Sequence, residues 1–268
     1  MRVRDLELAL LDMFPASDAE SWDRVGLSVG DPDHEVGRVM VALDATDAQV
    51  IAAHGAGADV LVAHHPVYLD APDRICPGAS RTNPQAASAA YRAASLGVSV
   101  ISLHTNLDRS LEARRHLAEI LGFEPTGSLE HPGDPDAPGF GALCHVDRPL
   151  SVRSLAKLVE DALATRVRAW GNATAPLRSV AISSGALGDL GEAALAAGCD
   201  AVVTGEAGYH VCQDLAARGI AVVLAGHDAT ELPYREVLRC AVERAGIDSE
   251  RIVSSSESRQ WWTLGEGD

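Results

Sequence analysis

The sequence lacks most features that would place the chain in a membrane or an oxidising compartment. Only 4% of its 268 residues are aromatic, and no apolar run approaches the 18 residues that a membrane-spanning helix needs. The five cysteines include no C-x-x-C pair, which argues against a cysteine zinc site and fits a reducing compartment. The first 14 residues carry acidic side chains within their apolar stretch, unlike a signal peptide. We therefore expect a cytoplasmic protein with no membrane partner.

Basic residues are also scarce, and lysine occurs only once, at Lys157. The 22 Lys and Arg residues stand against 38 Asp and Glu residues, which gives a net charge of −16. Such a surface repels nucleic acids and anionic membranes. The remaining composition, 47% hydrophobic and 22% charged, is that of a globular protein. With so few aromatic residues, the core must consist largely of aliphatic side chains.

Continuous apolar strands alternate with helices from about residue 38, which predicts an α/β fold with mainly parallel sheets covered by helices. Predicted strands lie at 39–43, 59–63, 98–102, 166–170, 179–183, 201–204 and 221–225. Predicted helices lie at 4–14, 47–55, 83–95, 110–122, 151–164, 189–197, 208–218 and 233–245. Asn83, Ser110 and Ser151 are the expected helix N-caps. The Pro-, Gly- and Asp-rich segment 124–150 is predicted to be a connector.

Two stretches of the chain have an internal counterpart. Residues 54–65 align with 195–206, and residues 96–108 align with 218–231. The matches indicate two pseudo-related α/β lobes, although Gly-x-Asp before a strand is also common punctuation in unrelated α/β proteins. We expect one lobe at 1–112 plus about 226–268 and the other at 113–225, with no inserted mid-chain domain and with a site in the cleft between them.

Chemistry-bearing residues follow three of the predicted strands. His64 and His65 follow strand 59–63, His104 and Asp108 follow strand 98–102, and His227 and Glu231 follow strand 221–225. Functional groups collect at the carboxyl ends of parallel strands. Each motif alone also has an ordinary explanation: a chance pair of loop histidines, or a helix cap with a first-turn acid.

The three motifs together favour a metal centre. Without His104, they offer three imidazoles and two carboxylates, which suit Zn, Fe, Mn, Co or Ni better than Ca or Mg. Five ligands are too many for one tetrahedral ion with an open position, but they suit two ions about 3.5–4 Å apart. The predicted metal ligands are His64, His65, Asp108, His227 and Glu231.

These motifs carry a resemblance to a known family. The segments AHHP, HTNLD and GHDATE, with WDRVGLSVG near the N-terminus and DAVVTGE before residue 207, resemble the Nif-three-like family along essentially the whole chain. Members are often called GTP cyclohydrolase 1 type 2 homologs or dinuclear metal-centre proteins. The resemblance implies the same five metal ligands, two divalent ions per chain and a homohexamer. The sequence departs from the family at Arg24, where a neutral amide is usual, and at the turn 183–187.

Other residues are weaker candidates by position. Glu206 and His210 follow strand 201–204. Each is a candidate general base or a residue that orients a metal ligand. Glu206 also fits an ordinary acidic residue in the first turn of helix 208–218. His104 is a candidate proton shuttle or a side chain bonded to the loop backbone. Trp261 and Trp262 are expected to make packing or subunit contacts.

Two functions from different classes follow. The first is a dinuclear metal-dependent hydrolase, in which two cations lower the pKa of a bridging water and the substrate is a nucleotide or another small phosphorylated molecule. Arg24, Arg74 and Arg109 are the arginines nearest the motifs in sequence and are candidate phosphate contacts. The alternative is a non-catalytic protein that stores, senses or delivers a metal ion, or that acts through interaction with a partner. Firm metal retention favours the first function, and ready release favours the second.

Overall fold

A computed structural model of the chain describes residues 1–256 and residue 261, so the predicted contact of Trp262 lies outside the described residues. In chain order the strands are β1 (Gly26–Val29), β2 (Val39–Ala42), β3 (Val60–Ala63), β4 (Ser99–Ser102), β5 (Pro125–Ser128), β6 (Ala142–His145), β7 (Arg168–Trp170), β8 (Ser179–Ile182), β9 (Ala201–Thr204), β10 (Ala221–Leu224) and β11 (Ile252–Ser254). The α-helices are α1 (Val3–Met13), α2 (Asp47–Gly55), α3 (Pro84–Leu96), α4 (Thr105–Asp108), α5 (Leu111–Ile120), α6 (Val152–Ala162), α7 (Leu190–Ala196), α8 (Tyr209–Ala217), α9 (His227–Glu231) and α10 (Tyr234–Arg244). Within the described chain, no helix combines the length and apolar character needed to cross a bilayer.

The chain forms two compact units. Unit 1 comprises Met1–Leu10, Gly26–Ser102 and Leu238–Asp268, and unit 2 comprises Leu11–Val25 and Leu103–Val237. The expected first lobe, 1–112 plus about 226–268, contains residues 11–25, 103–112 and 226–237, which belong to unit 2. Alternating strands and helices do not reveal which sheet a strand joins or where the chain passes from one unit to the other.

The sheet of unit 1 has the strand order β1-β4-β3-β2-β11. Its central strands run parallel, and only β1 pairs antiparallel, with β4. All four residues of β2, β3 and β4 are buried. Small side chains from α2 and α3, such as Ala53, Ala90 and Ala93, pack on Leu61 and Val100 in the core. This aliphatic, alanine-rich packing matches the composition.

The sheet of unit 2 has the order β5-β6-β8-β9-β10-β7 and mixes both strand directions. The pairs β8–β9 and β9–β10 are parallel, whereas β5–β6, β6–β8 and β10–β7 are antiparallel. The prediction that 124–150 is a connector is wrong in part, since β5 and β6 pair within it. Most of its prolines and glycines lie in the loop that joins these strands, and they masked two short strands, of which β5 is at the edge of the sheet and β6 lies between β5 and β8. The α/β class itself is confirmed.

The internal repeat has a structural counterpart in each unit. In unit 1, Asp59 Oδ2 accepts hydrogen bonds from the backbone N–H groups of Gly37 and Arg38, at 2.7 and 2.9 Å. In unit 2, Asp200 Oδ2 accepts from Arg178 and Ser179, at 2.6 and 3.0 Å. Each aspartate precedes a buried strand and holds the start of the parallel neighbouring strand. The repeated Gly-x-Asp therefore performs the same local task twice.

Helix capping follows the sequence in part. The hydroxyls of Ser110 and Ser151 accept hydrogen bonds from the backbone N–H groups of Ala113 and Ser154, as predicted. Asn83 occupies the N-cap position of α3 but makes no side-chain cap. Its amide instead donates to the carbonyl of Asp70 at 3.0 Å. The side-chain cap predicted for Asn83 is therefore wrong.

Candidate metal centre

Unit 1 presents two adjacent histidines immediately after β3. The backbone N–H groups of His64 and His65 donate to the carbonyls of Ala42 and Leu43, at 3.2 and 2.8 Å, so the ladder with β2 continues past the strand end. The His64 side chain is fully buried, and that of His65 is 23% exposed. Their rings lie 5.0 Å apart with an interplanar angle of 41°, and one ligand atom of each lies within 4.8 Å of the other.

Asp44 fixes the orientation of His65. Its Oδ1 lies 2.7 Å from Nδ1 of His65. An ionised carboxylate only accepts hydrogen bonds, so this contact places the proton on Nδ1 and the lone pair on Nε2. Carboxylates in this position are common partners of metal-binding histidines. No motif in the sequence indicates a role for Asp44, although the parallel register Ala42↔Ala63 sets residue 44 beside residue 65.

Unit 2 presents three of the predicted ligands at the ends of two short helices. Asp108 ends α4 and Glu231 ends α9, and a carboxylate oxygen of each lies within 4.8 Å of the other. His227 begins α9, and its Nε2 lies 3.1 Å from Oε2 of Glu231. Glu231 is only 4% exposed. It is therefore a buried carboxylate within ligand distance of both an imidazole and a second carboxylate.

Glu206 contacts the imidazole of His227 at Nδ1. Its Oε1 lies 3.0 Å from Nδ1 of His227, which is the same pairing that Asp44 makes with His65. Of the roles that the sequence left open for Glu206, the geometry favours orienting His227. The side chain of Glu206 is 59% exposed, so this pair is screened by water more than a buried pair would be.

Ser184 and Tyr234 extend the site beyond the predicted residues. The Ser184 hydroxyl donates to Oδ1 of Asp108 at 3.2 Å. Tyr234 is 2% exposed. Burial, followed by the charge of Asp108, raises the pKa of Tyr234 well above its ordinary value, and a hydrogen bond with Ser184 opposes the shift. The phenol therefore stays protonated. Sequence analysis noted the turn at 183–187 but assigned no role to Tyr234.

Two glycines leave room for this set of ligands. Gly185 has φ +53°, and a methyl group on it would collide with the Glu231 carboxylate. A methyl group on Gly205 would lie 2.5 Å from the carbonyl oxygen of Gly185 and 2.8 Å from Cα of His227. The Gly185 N–H donates to Oγ1 of Thr230 at 3.0 Å, which ties the turn to α9. Backbone thus packs directly against the ligands.

His104 lies at the start of α4, one helical turn before Asp108. Its Nδ1 lies 2.8 Å from Oδ1 of Asp23, and its side chain is 15% exposed. The Asp108 N–H donates to the carbonyl of His104 at 3.0 Å. The structure therefore places His104 beside a predicted ligand of the same unit.

The other candidates have different surroundings. His210 is exposed on α8, where Nδ1 pairs with Gln213 at 3.3 Å, and its catalytic role stays a prediction. Arg109 forms a two-point ion pair with Glu130 at 3.0 and 3.1 Å and also bonds to Glu20 at 2.7 Å. These carboxylates occupy its guanidinium, so the suggested phosphate contact of Arg109 loses its support. Arg74 lies 3.6 Å from Asp73 in an exposed pair.

The donor chemistry fits transition metals. Unit 1 offers two imidazoles, and unit 2 offers one imidazole and two carboxylates. His64 and Glu231 are buried, and a carboxylate contacts Nδ1 of both His65 and His227. This mixture of nitrogen and oxygen donors suits the borderline divalent ions. The described residues therefore could hold a metal ion.

The sequence is similar to those of known proteins along nearly its whole length. The family model described as Duf34/NIF3 (NGG1p interacting factor 3) matches residues 1–259. A protein of Streptomyces coelicolor named GTP cyclohydrolase 1 type 2 homolog is 32% identical, over 97% of this chain and 93% of its own length. A protein of the same name from Clostridium acetobutylicum is 28% identical, over 96% of both.

Solved structures show the same fold. The crystal structure of Staphylococcus aureus protein SA1388 superposes with a TM-score of 0.84 at 22% identity and covers 98% of this chain and 99% of its own. Reduced HcgD from Methanocaldococcus jannaschii reaches a TM-score of 0.77 at 22% identity, over 96% of this chain and 98% of its own. The family model matches nearly the whole sequence, and the matched residues of this chain include all the strand-end motifs. The chain therefore belongs to the DUF34/NIF3 family.

Proposed function

We propose that this chain is a metal-dependent hydrolase that uses two divalent transition-metal ions and acts on a nucleotide or another small phosphorylated molecule. The observation that carries the proposal is Glu231. It is a buried carboxylate with an oxygen within 4.8 Å of ligand atoms of both Asp108 and His227. A carboxylate shared by two ions is typical of dinuclear hydrolytic centres.

The ligand residues divide by unit. Asp108, His227 and Glu231 of unit 2 would hold metal with imidazole and carboxylate atoms, and His64 and His65 of unit 1 would supply the remaining imidazoles. When bound, the ions would supply Lewis acidity and lower the pKa of water. Asp44 keeps the proton of His65 on Nδ1, Glu206 orients the His227 ring through its contact with Nδ1, and Ser184 orients the Asp108 carboxylate.

GTP is the first substrate to test, because relatives carry the name GTP cyclohydrolase 1 type 2 homolog. Opening the guanine ring requires water to attack C8, and loss of that carbon releases formate. A broader panel of nucleotides and phosphate esters covers substrates of the same chemical class. Formate and phosphate are therefore the two products to measure.

Metal content tests the centre. We expect about two transition-metal ions per purified chain by elemental analysis. Replacing both His64 and His65 with Ala should remove them. A matched double variant, His54→Ala with His145→Ala, removes two exposed histidines outside the motifs and should retain the metal. Equal metal content in both double variants would contradict the assignment.

Metal exchange separates the hydrolase from the metal-handling alternative. A hydrolase should retain at least one ion during dialysis against a competing isotope and should lose turnover with it. Rapid release of both ions, together with no turnover on the panel, would support storage or delivery of metal instead. The family description names an interacting factor, which is compatible with the non-catalytic alternative.

A further inference from the structure

Asp23 holds His104 from a loop distant in sequence. Oδ1 of Asp23 lies 2.8 Å from Nδ1 of His104 and accepts from the N–H of Arg24 at 2.6 Å. Oδ2 accepts from the N–H of Thr105 at 2.9 Å and from the Thr105 hydroxyl. The side chain of Asp23 is completely buried. Four donors therefore surround one buried carboxylate.

The charge of Asp23 is secured by these donors. Burial alone would raise the pKa of Asp23, but the hydrogen bonds from His104 and Thr105 and the attraction to His104 outweigh it and lower the pKa well below its ordinary value. Asp23 is therefore an ionised acceptor at neutral pH. An ionised acceptor at Nδ1 requires the His104 proton there and leaves a lone pair on Nε2.

The surrounding contacts prevent this pair from rearranging. The side-chain amide of Asn106 donates to the carbonyl of Phe14 at 2.8 Å, and its oxygen accepts from the N–H of His104 at 2.9 Å. The N–H of Glu20 donates to the Thr105 hydroxyl at 2.9 Å. The Trp22 ring meets the His104 ring edge-on, with centroids 5.9 Å apart. Both the backbone and the ring plane of His104 are thus fixed from several sides.

The internal repeat gives His104 a counterpart. With a one-residue gap between the strand and the motif, alignment of 96–108 with 218–231 equates His104 with His227 and Asp108 with Glu231. In both copies a carboxylate lies at Nδ1, Asp23 in one and Glu206 in the other. The two carboxylates differ in burial, since Asp23 is completely buried and Glu206 is 59% exposed. His104 therefore has the more firmly held tautomer of the two.

We propose that Asp23 is a positioning residue that holds the His104 proton on Nδ1, so that Nε2 of His104 exchanges a proton with the substrate or with the attacking water. The role deepens the proposed hydrolase function and rests on it. His104 is suited to the task because it precedes Asp108 by one helical turn and remains partly exposed. General acid–base catalysis by a histidine whose tautomer is fixed by a carboxylate is an established enzymatic device.

The tautomer is tested directly by nitrogen NMR of the full-length protein labelled with 15N-histidine, both metal-free and loaded with diamagnetic Zn²⁺. The His104→Gln variant identifies the His104 signals among the ten histidines. We expect the proton on Nδ1 in the wild type. In Asp23→Asn, the amide NH₂ can donate to Nδ1, so the proton should move to Nε2. A wild-type proton on Nε2, or an unchanged pattern in the variant, would overturn the proposal.

Kinetics and metal content test the consequence. On the GTP and phosphate-ester panel, Asp23→Asn should lower kcat about 100- to 10,000-fold with little change in KM. It should have no further effect in a His104→Gln background, because Asp23 acts only through that ring. Asp18→Asn, which removes the same charge from the same N-terminal segment without touching His104, should leave kcat unchanged. Loss of metal from His104→Gln would make His104 a ligand and refute its role in proton transfer.

The NMR and kinetic results separate the two proposals. If the wild type turns over no substrate but shows the expected tautomers, the hydrolase function fails while the positioning by Asp23 stands. If the wild type is active and Asp23→Asn retains its kcat, the positioning fails while the hydrolase function stands. Should Asp23→Asn not fold, Thr105→Val provides a second variant. It removes one donor from Asp23, and we expect a smaller loss of kcat in the same direction.

Discussion

At the residue scale, carboxylates orient the imidazoles of three histidines in the described part of the chain. Asp44, Asp23 and Glu206 each contact the Nδ1 atom of one imidazole, at distances of 2.7 to 3.0 Å. The contacts of Asp44 and Asp23 place the proton on Nδ1 of His65 and His104, whereas His227 also has Oε2 of Glu231 at 3.1 Å from its Nε2. The described residues thus contain three oriented imidazoles, and orientation of this kind commonly raises metal affinity 10- to 100-fold.

Glu231→Gln should weaken binding of a second metal ion far more than binding of the first. The substitution preserves size but removes the charge that offsets repulsion between two nearby cations. Calorimetric titration of metal into metal-free wild type and variant measures both affinities. Glu192→Gln, at an exposed position on α7, serves as the control. Two equally tight sites in Glu231→Gln would show that another group lies between the ions.

The strand-end ligands were predicted from the sequence, but the residues that contact and orient these side chains were not. Adjacent motif residues at parallel strand ends predicted His64, His65, Asp108, His227 and Glu231 as metal ligands, and their role as a set remains a prediction. Asp44 and Asp23 have no motif of their own, because their function depends on strand register and on a loop contact 81 residues away in sequence. Such long-range contacts leave little trace in local sequence.

At the element scale, the repeated aspartates Asp59 and Asp200 each join two parallel strands. Both accept two backbone N–H groups at the start of the neighbouring strand. The repeat was recognisable in the sequence because Gly-x-Asp precedes each strand at the same spacing. By contrast, β5 and β6 were missed, because their four-residue strands lie at the ends of a loop rich in turn-forming residues.

Replacing either aspartate with Ala should lower the free energy of unfolding by about 1–3 kcal/mol, since two backbone donors lose a charged acceptor. Urea denaturation of Asp59→Ala and Asp200→Ala measures the loss. Asp136→Ala, which alters a side chain that is 79% exposed, should cost little. A loss below about 0.5 kcal/mol in both variants would place them with ordinary surface substitutions.

The ion pair between Arg109 and Glu130 should make stability depend on pH. Burial would raise the pKa of Glu130, but hydrogen bonds from Arg109 and the Phe140 N–H, with the charge of Arg109, lower it below 4.5. Because the pKa is lowered in the folded state, the pair stabilises the protein above about pH 4.5 and loses this contribution as the pH falls further.

We therefore expect Glu130→Gln to have a lower Tm than the wild type at pH 7, and this difference should shrink as the pH falls below about 4.5. Thermal unfolding across this range measures the difference. Glu124→Gln, at an exposed position before β5, should track the wild type throughout. A difference between wild type and Glu130→Gln that stays constant with pH would show that the substitution acts through packing.

At the scale of the whole molecule, composition and periodicity predicted the α/β class but not the assignment of strands to sheets. Most predicted strands and helices correspond to observed elements within about two residues. The boundaries between units were placed differently, because the sequence does not show that the chain leaves the first sheet after β4 and returns through α10. The antiparallel strands of unit 2 also carry no distinct sequence signature.

Assembly remains a proposal at this scale. From the family resemblance we propose a homohexamer, whose mass by light scattering should be about six times the 28.1 kDa chain. A net charge of −16 per chain opposes association, so the assembly should weaken at low ionic strength, where screening is poor. Removal of residues 258–268 should weaken it further. A monomer at micromolar concentration and moderate salt would contradict the proposal.

Substitution of Gly185 offers a way to disrupt the proposed metal centre in a cell without replacing any predicted ligand. Because a single methyl group there meets the Glu231 carboxylate, alanine at this position should displace that oxygen while leaving every imidazole and carboxylate chemically intact. A strain carrying such an allele would separate the consequences of losing metal chemistry from those of losing the protein itself. Its phenotype, set beside that of a deletion, would show how much of the protein's cellular role depends on the proposed metal centre.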